Sequence, residues 1–333
     1  MTKISIIGAG SWGTSLAHAL AQAGHSVWLW AFEKEVVASI CERRENDVFL
    51  PGIILPENII PTNDLAVALS QAECVLTVMP SHVCHSLYER MLPYLMPDMV
   101  LVSATKGIDA ERHMRMSQVI KSVIQKKFPL RIVVLSGPSF AKEVAKGVPT
   151  ALVAASENIA AARWIQTEFS GKTLRLYTSD DVIGVEIGGA VKNVIAIASG
   201  IIKGLELGHN PLAALITRGL AEIARLAVAL GARRETLSGL AGLGDLVLTC
   251  TGELSRNYFV GVELGKGRRL AEILSSMHEV AEGIKTTDAT VELARELGVE
   301  MPITEQVKRI LYGEIPPYDA IYELMERSLK NEH

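Results

Sequence analysis

The sequence predicts an α/β protein: a Rossmann-like doubly wound N-terminal domain followed by a mainly α-helical C-terminal domain. Three observations carry this expectation. A β-branched run over residues 3–7 ends in Gly8-Ala9-Gly10-Ser11-Trp12-Gly13 and passes directly into a helical pattern. Short apolar runs then alternate with helical periods through the first half, the order that builds a parallel sheet with helices on both faces. From about residue 181 long helical periods take over, so the boundary falls near 180 and divides residues 1–180 from 181–333.

In chain order the expected strands are residues 3–7, 27–30, 74–79, 99–103, 132–136, 151–154 and 173–177. Each is a short apolar or β-branched run, most of them bounded by residues that punctuate secondary structure. Helical periods fall at 14–23, 33–44, 82–96, 111–127 and 157–169, and then at 185–199, 211–230 and 287–297. No internal repeat or low-complexity tract interrupts them.

Composition narrows the function classes. A chain of 333 residues is long enough for two cores. With 49% hydrophobic and 21% charged residues it reads as an ordinary globular protein. A formal net charge of -4 supplies no basic field to recruit nucleic acid. No uninterrupted apolar run approaches the roughly 20 residues of a membrane helix, so an integral membrane protein is not expected. The start of the chain lacks the layout of a signal peptide. Cys41, Cys74, Cys84 and Cys250 form no CxxC pair, which points to a reduced, cytoplasmic compartment. His82, Cys84 and His85 lie close in sequence, but no further ligand stands at metal-site spacing, so no metal is expected.

The chemistry-bearing motifs begin with Gly8-x-Gly10-x-x-Gly13. Gly8 permits a tight turn, Gly10 lets a pyrophosphate approach the backbone, and Gly13 permits close helix–strand packing. The following helix start offers N–H groups and positive dipole to phosphates. Glu33 stands 20 residues beyond Gly13, where a carboxylate holds the ribose hydroxyls of NAD, yet Lys34 beside it suits the 2′-phosphate of NADP. The two signs conflict, and the choice between NAD and NADP stays open.

Lys106, in Ser103-Ala-Thr-Lys-Gly107, follows a predicted strand and so stands at a carboxyl edge of the sheet, where open α/β folds bind ligands. Ser136-Gly137-Pro138-Ser139-Phe140-Ala141 occupies another strand end. In the second half, Gly188-Gly-Ala-Val-Lys192-Asn193 opens an apolar helical run. Desolvation there favours the neutral amine, which makes Lys192 a candidate proton acceptor. Gly188, Gly189, Ala196 and Ser199 share its helix face, and this stripe is expected to leave room for a small ligand beside the amine. If Asp245 begins a helix, Thr249 follows one turn later on the same face, and the carboxylate can orient Lys192. Arg256 offers a planar fork for phosphate oxygens, and Ser255 a helix start beside it.

Together these segments resemble the prokaryotic-type NAD(P)-dependent glycerol-3-phosphate dehydrogenase family. The stretches that carry the resemblance are 8–14, 104–107, 136–143, 188–194, 214–222, 239–251, 255–257 and 300–305, in order over nearly the whole chain. It implies oxidation of sn-glycerol 3-phosphate to dihydroxyacetone phosphate, or the reverse, with NAD or NADP. It implies Lys192 as proton acceptor, Lys106 and Asp245 at the substrate, and Thr249 in support. Gly137, Ser139, Ser255, Arg256 and Asn257 are implied as substrate contacts. Ser11, Trp12, Phe32, Lys106, Ala141, Arg256, Val280 and Glu282 are implied as cofactor contacts, alongside the three fingerprint glycines. Phe32 stands where relatives often carry a basic residue or His, which weakens a preference for NADP. A cytoplasmic homodimer serving phospholipid synthesis is the further expectation. The rivals are a β-hydroxyacid dehydrogenase, which also joins a dinucleotide domain to a helical one bearing a lysine, and a nicotinamide-binding redox sensor without turnover.

Overall fold

The computed structural model describes residues 2–125, 127–277, 281–329 and 331–332. Among these residues eight strands form one sheet: β1 (Lys3–Ile7), β2 (Ser26–Trp30), β3 (Ile59–Thr62), β4 (Cys74–Thr77), β5 (Val100–Ser103), β8 (Arg131–Ser136), β9 (Thr150–Ala155) and β10 (Leu174–Ser179). A short hairpin, β6 (Ile108–Asp109) and β7 (Met114–Arg115), stands apart. The sheet order is β10-β9-β8-β5-β4-β1-β2-β3. Strand β1 pairs in parallel with β2 and β4, from Lys3↔Ser26 and Ile4↔Cys74, so the chain reverses its direction of winding at β1. The crevice at that switch point is where such sheets take ligands.

The expected wholly parallel sheet needs one correction. Strands β8 and β9 pair antiparallel, Val134↔Ala155, so β9 and β10 run against the other six. Between β8 and β9 the only helix is α6 (Ala141–Ala145), which packs beside α1 (Ser11–Gln22). Without a full crossover helix laid on the sheet, the chain returns beside β8 in the opposite sense. Strand β3 escaped the sequence reading because Pro61 interrupts it; it survives as an edge strand.

The sheet's helices are α1, α2 (Lys34–Arg43), α3 (Leu65–Leu69), α4 (Cys84–Met91), α5 (Met116–Ile124), α6 and α7 (Ile159–Phe169). The helical period over 82–96 breaks at Met91 into a 3₁₀ turn containing Pro93. The period over 111–127 begins only at Met116 because residues 108–115 form the hairpin.

The second half is helical. It comprises α8 (Val182–Gly204), α9 (His209–Ala229), α10 (Asp245–Thr251), α11 (Arg256–Gly265), α12 (Leu270–Ser275), α13 (Glu282–Leu297), α14 (Pro302–Leu311) and α15 (Pro317–Met325). Helix α8 is its axis. By length and composition it could cross a membrane, but 94% of its most apolar stretch is buried inside the protein. Its neighbour α11 approaches to backbone contact. A Cβ on Gly200 would lie 2.1 Å from the Tyr258 carbonyl oxygen, and one on Gly261 2.0 Å from that of Ile197. This close crossing fixes α11 against the C-terminal third of α8. The two halves are also joined by Glu186 of α8, which accepts from the Ser117 amide at 2.6 Å and its hydroxyl at 2.8 Å, and pairs with Arg115.

Candidate active site

The turn after β1 has the shape a diphosphate needs. Gly8 has φ +118°, and a Cβ there would lie 2.2 Å from the Val78 carbonyl oxygen. One on Gly13 would lie 1.9 Å from the Gly8 carbonyl oxygen, whereas one on Gly10 would meet nothing within 4 Å. So Gly8 and Gly13 pack the turn, and the open side is at Gly10. Helix α1 begins at Ser11 with no side-chain cap, so Ser11, Trp12 and Gly13 bring the positive end of a twelve-residue helix to that open side. Ala141 opens α6 close by: its carbonyl oxygen lies 2.8 Å from Ser15 Oγ of α1. Phe32, just past β2, is 72% exposed and meets Trp30 edge-on. These residues fit a dinucleotide laid across the carboxyl ends of β1 and β2. Val280 lies outside the described residues.

Across the crevice, Lys192 is buried at 6% exposure. Its Nζ donates to Asp245 Oδ1 and, at 2.7 Å, to Thr249 Oγ. The other oxygen of Asp245 accepts from Lys106 Nζ at 2.7 Å. Lys106 comes from the loop after β5 and reaches the Gly137 carbonyl oxygen at 2.9 Å and Ser139 Oγ at 3.4 Å. One fully buried carboxylate therefore holds two lysines from different halves of the chain. Burial pulls the Lys192 pKa down to about 8; the Asp245 charge opposes this and the Lys106 charge adds to it.

Local sequence explains how Asp245 arrives there. Residues Leu240–Gly244 form a π-helical turn ahead of α10, and this turn sits directly on α8. A Cβ on Gly188 would lie 2.5 Å from the Ala241 carbonyl oxygen, and one on Gly189 2.4 Å from Ser136 Oγ. The glycine stripe is thus filled by protein, and the expected ligand space at Gly188 and Gly189 is corrected accordingly. Small residues there let the turn settle close enough for Asp245 to meet Lys192. Asp245 is the first residue of α10, and Thr249, one turn on, donates to its carbonyl at 2.6 Å.

The remaining sequence candidates gather at the start of α11. Ser255 is the N-cap: its buried hydroxyl accepts from the Tyr258 amide at 3.2 Å. Arg256 follows and is exposed. Asn257 is buried, and both ends of its amide are used within the protein. Its Nδ2 donates to Asn193 Oδ1 at 3.0 Å, and its Oδ1 accepts from the Gly283 amide at 2.9 Å. Ser255 and Asn257 therefore present side chains to the helix junction rather than outward. Glu282 opens α13, where its carboxylate accepts from the Ser81 amide at 3.2 Å and the Ser81 hydroxyl at 2.6 Å. Sequence reasoning passed over Ser81, and it named Asn193 beside Lys192 without giving it a role. The position of Ser81 just past β4, at the ligand-binding edge, was the one available cue.

Residues 3–162 match the model for the NAD-dependent glycerol-3-phosphate dehydrogenase N-terminus, and residues 181–322 match that for its C-terminus. The chain is 58% identical to the glycerol-3-phosphate dehydrogenase [NAD(P)+] of Koribacter versatilis over 98% of both chains. It is 53% identical to the Acidobacterium capsulatum enzyme of the same description over 100% of both. The crystal structure of glycerol-3-phosphate dehydrogenase from Coxiella burnetii superposes with a TM-score of 0.93 at 41% identity, over 98% of this chain and 99% of that one. The chain belongs to the NAD-dependent glycerol-3-phosphate dehydrogenase family.

Proposed function

We propose that this NAD(P)-dependent glycerol-3-phosphate dehydrogenase moves its proton through Lys192. The carrying observation is the pairing of a buried, easily titrated amine with Asp245 and Thr249 at the sheet's ligand edge. A bound nicotinamide supplies the hydride acceptor for the alcohol, or the donor for the ketone. On the protein's side, neutral Lys192 Nζ takes the hydroxyl proton of glycerol 3-phosphate, and the ammonium returns it to the oxygen of dihydroxyacetone phosphate. Help of this kind contributes about 10²–10⁴-fold. Asp245 orients the amine and keeps Lys106 beside it, so that the Lys106 ammonium faces the substrate oxygen. Arg256, at the positive end of α11, takes the remote phosphate and so orients the reacting carbon. Gly137 and Ser139 shape the floor beneath Lys106.

In this reading residues 1–180 bind the dinucleotide and 181–333 complete the substrate site. The cofactor lies along Gly8, Gly10, Ser11, Trp12, Gly13, Phe32 and Ala141, with Glu282 at its far end. The enzyme acts as a cytoplasmic homodimer, and its working direction supplies glycerol 3-phosphate for phospholipid synthesis. Oxidation of NADH and NADPH with dihydroxyacetone phosphate tests the substrate; 3-oxo acids, the oxidised partners of 3-hydroxy acids, serve as the control for the β-hydroxyacid reading. Turnover with dihydroxyacetone phosphate alone is expected, and turnover with 3-oxo acids alone would overturn it.

A further inference from the structure

Three segments meet on one side of the proposed cofactor crevice. Ser81, 1% exposed, follows β4 in the loop that also carries Val78, the residue under the Gly8 turn. Glu282 is the first residue of α13 in the helical half. The third segment is the loop 104–107, which carries Lys106. Thr105 Oγ donates to the Met79 carbonyl at 2.9 Å and lies 3.3 Å from the Met79 amide, clamping this loop to the one after β4. A Cβ on Gly107 would lie 2.7 Å from Ser81 Cβ and 3.0 Å from Glu282 Oε2. Gly107 is therefore glycine for want of space, and the space is taken by the Ser81–Glu282 pair.

The pair does not end at α13. Gly283, the next residue, gives its amide to Asn257, and Asn257 holds Asn193, the neighbour of Lys192. The N-terminus of α13 is thus fastened on one side to the sheet half and on the other to the helices bearing Lys192 and Arg256.

We infer that Ser81 is a positioning residue for the dinucleotide, acting through Glu282 by holding its carboxylate at the mouth of the crevice beside the Lys106 loop. Glu282 has rotatable bonds and ordinarily a wide choice of rotamers. Two hydrogen bonds from one residue remove that choice, and such bonds to a charged acceptor are the strong ones. The inference rests on the proposed course of the cofactor, from the Gly8 turn after β1 to Glu282 at its far end.

A double-mutant cycle on the full-length enzyme tests it. Ser81→Ala should raise the KM for NADH or NADPH about tenfold, the size expected for losing one hydrogen bond to a charged group. The KM for dihydroxyacetone phosphate and kcat should stay within about threefold, since the chemistry lies elsewhere. Glu282→Ala should raise the cofactor KM at least as much, and adding Ser81→Ala to it should change nothing further, because Ser81 acts through Glu282. Glu282→Gln keeps one acceptor for Ser81 and should fall between. If Ser81→Ala folds poorly, Ser81→Cys, of similar shape but a weak donor, carries the same cycle. A lowered melting temperature with an unchanged cofactor KM would overturn the inference and leave Ser81 merely structural. So would additive effects in the double mutant. If Glu282→Ala itself leaves the cofactor KM unchanged, the proposed course of the cofactor fails, and the role of Ser81 with it.

Discussion

Helix α8 buries two charged side chains six residues apart, and they meet their partners in different ways. Glu186 is closed off: Arg115 and both donors of Ser117 saturate its carboxylate. Lys192 sits in an arrangement with the charges reversed and the outcome open. Its partner Asp245 is shared with Lys106, so one negative charge serves two positive ones. An amine in that position can give up its proton, and burial brings its pKa to about 8. Burial and ion pairing alone therefore do not mark a site. What marks it is a titratable partner left with unbalanced charge at the ligand edge of the sheet.

Substitutions at the two clusters should separate them. Lys192→Ala should lower turnover by about 10²–10⁴-fold with cofactor binding retained, measured by steady-state kinetics and NADH fluorescence. Lys192→Arg should not restore turnover, because a guanidinium stays protonated. Asp245→Asn should reduce kcat by about 10²-fold, the scale of losing one preorganised electrostatic partner. It should also displace the pH profile toward lower pH, since the Asp245 charge raises the Lys192 pKa. Arg256→Ala should raise the substrate KM by about tenfold or more with a smaller effect on kcat, consistent with a charge-assisted phosphate contact. Glu186→Gln should have the smallest kinetic effect, turnover holding within about twofold, while unfolding free energy falls by about 3 kcal/mol in denaturant titration. A large kcat loss in Glu186→Gln with unchanged stability would erase the distinction between the clusters.

Much of this was legible in the sequence, for reasons that differ by element. The strand–turn–helix at 3–23 was plain because its period, its glycines and its place at the start of a strand series all agree. Lys192, Asp245 and Thr249 were identifiable as types, since a lone lysine in an apolar helix is costly and helical spacing pairs the other two. Their meeting was not legible, because it depends on the 240–244 turn resting on Gly188, a contact between segments about fifty residues apart. The same blindness misassigned the stripe: a glycine for ligand space and a glycine for a neighbouring backbone look identical in sequence. The antiparallel β8–β9 pair was missed because strand direction depends on how the connection packs. Ser81 and the role of Asn193 were missed because single small polar residues carry no pattern, and only the fold brings them to Glu282 and Asn257.

The central claim is that Lys192 is the group that takes and returns the proton. Its pKa is lowered from the ordinary lysine value to about 8, so the neutral amine accumulates as pH rises through that value. The most direct test is kcat/KM against pH in both directions with the wild-type enzyme, alongside Lys192→Ala. Oxidation of glycerol 3-phosphate should climb through pH about 8 and level off above it, while reduction of dihydroxyacetone phosphate should decline through the same pH. Both limbs should vanish in Lys192→Ala. Limbs that persist in that variant, or near-normal turnover without Lys192, would contradict the assignment.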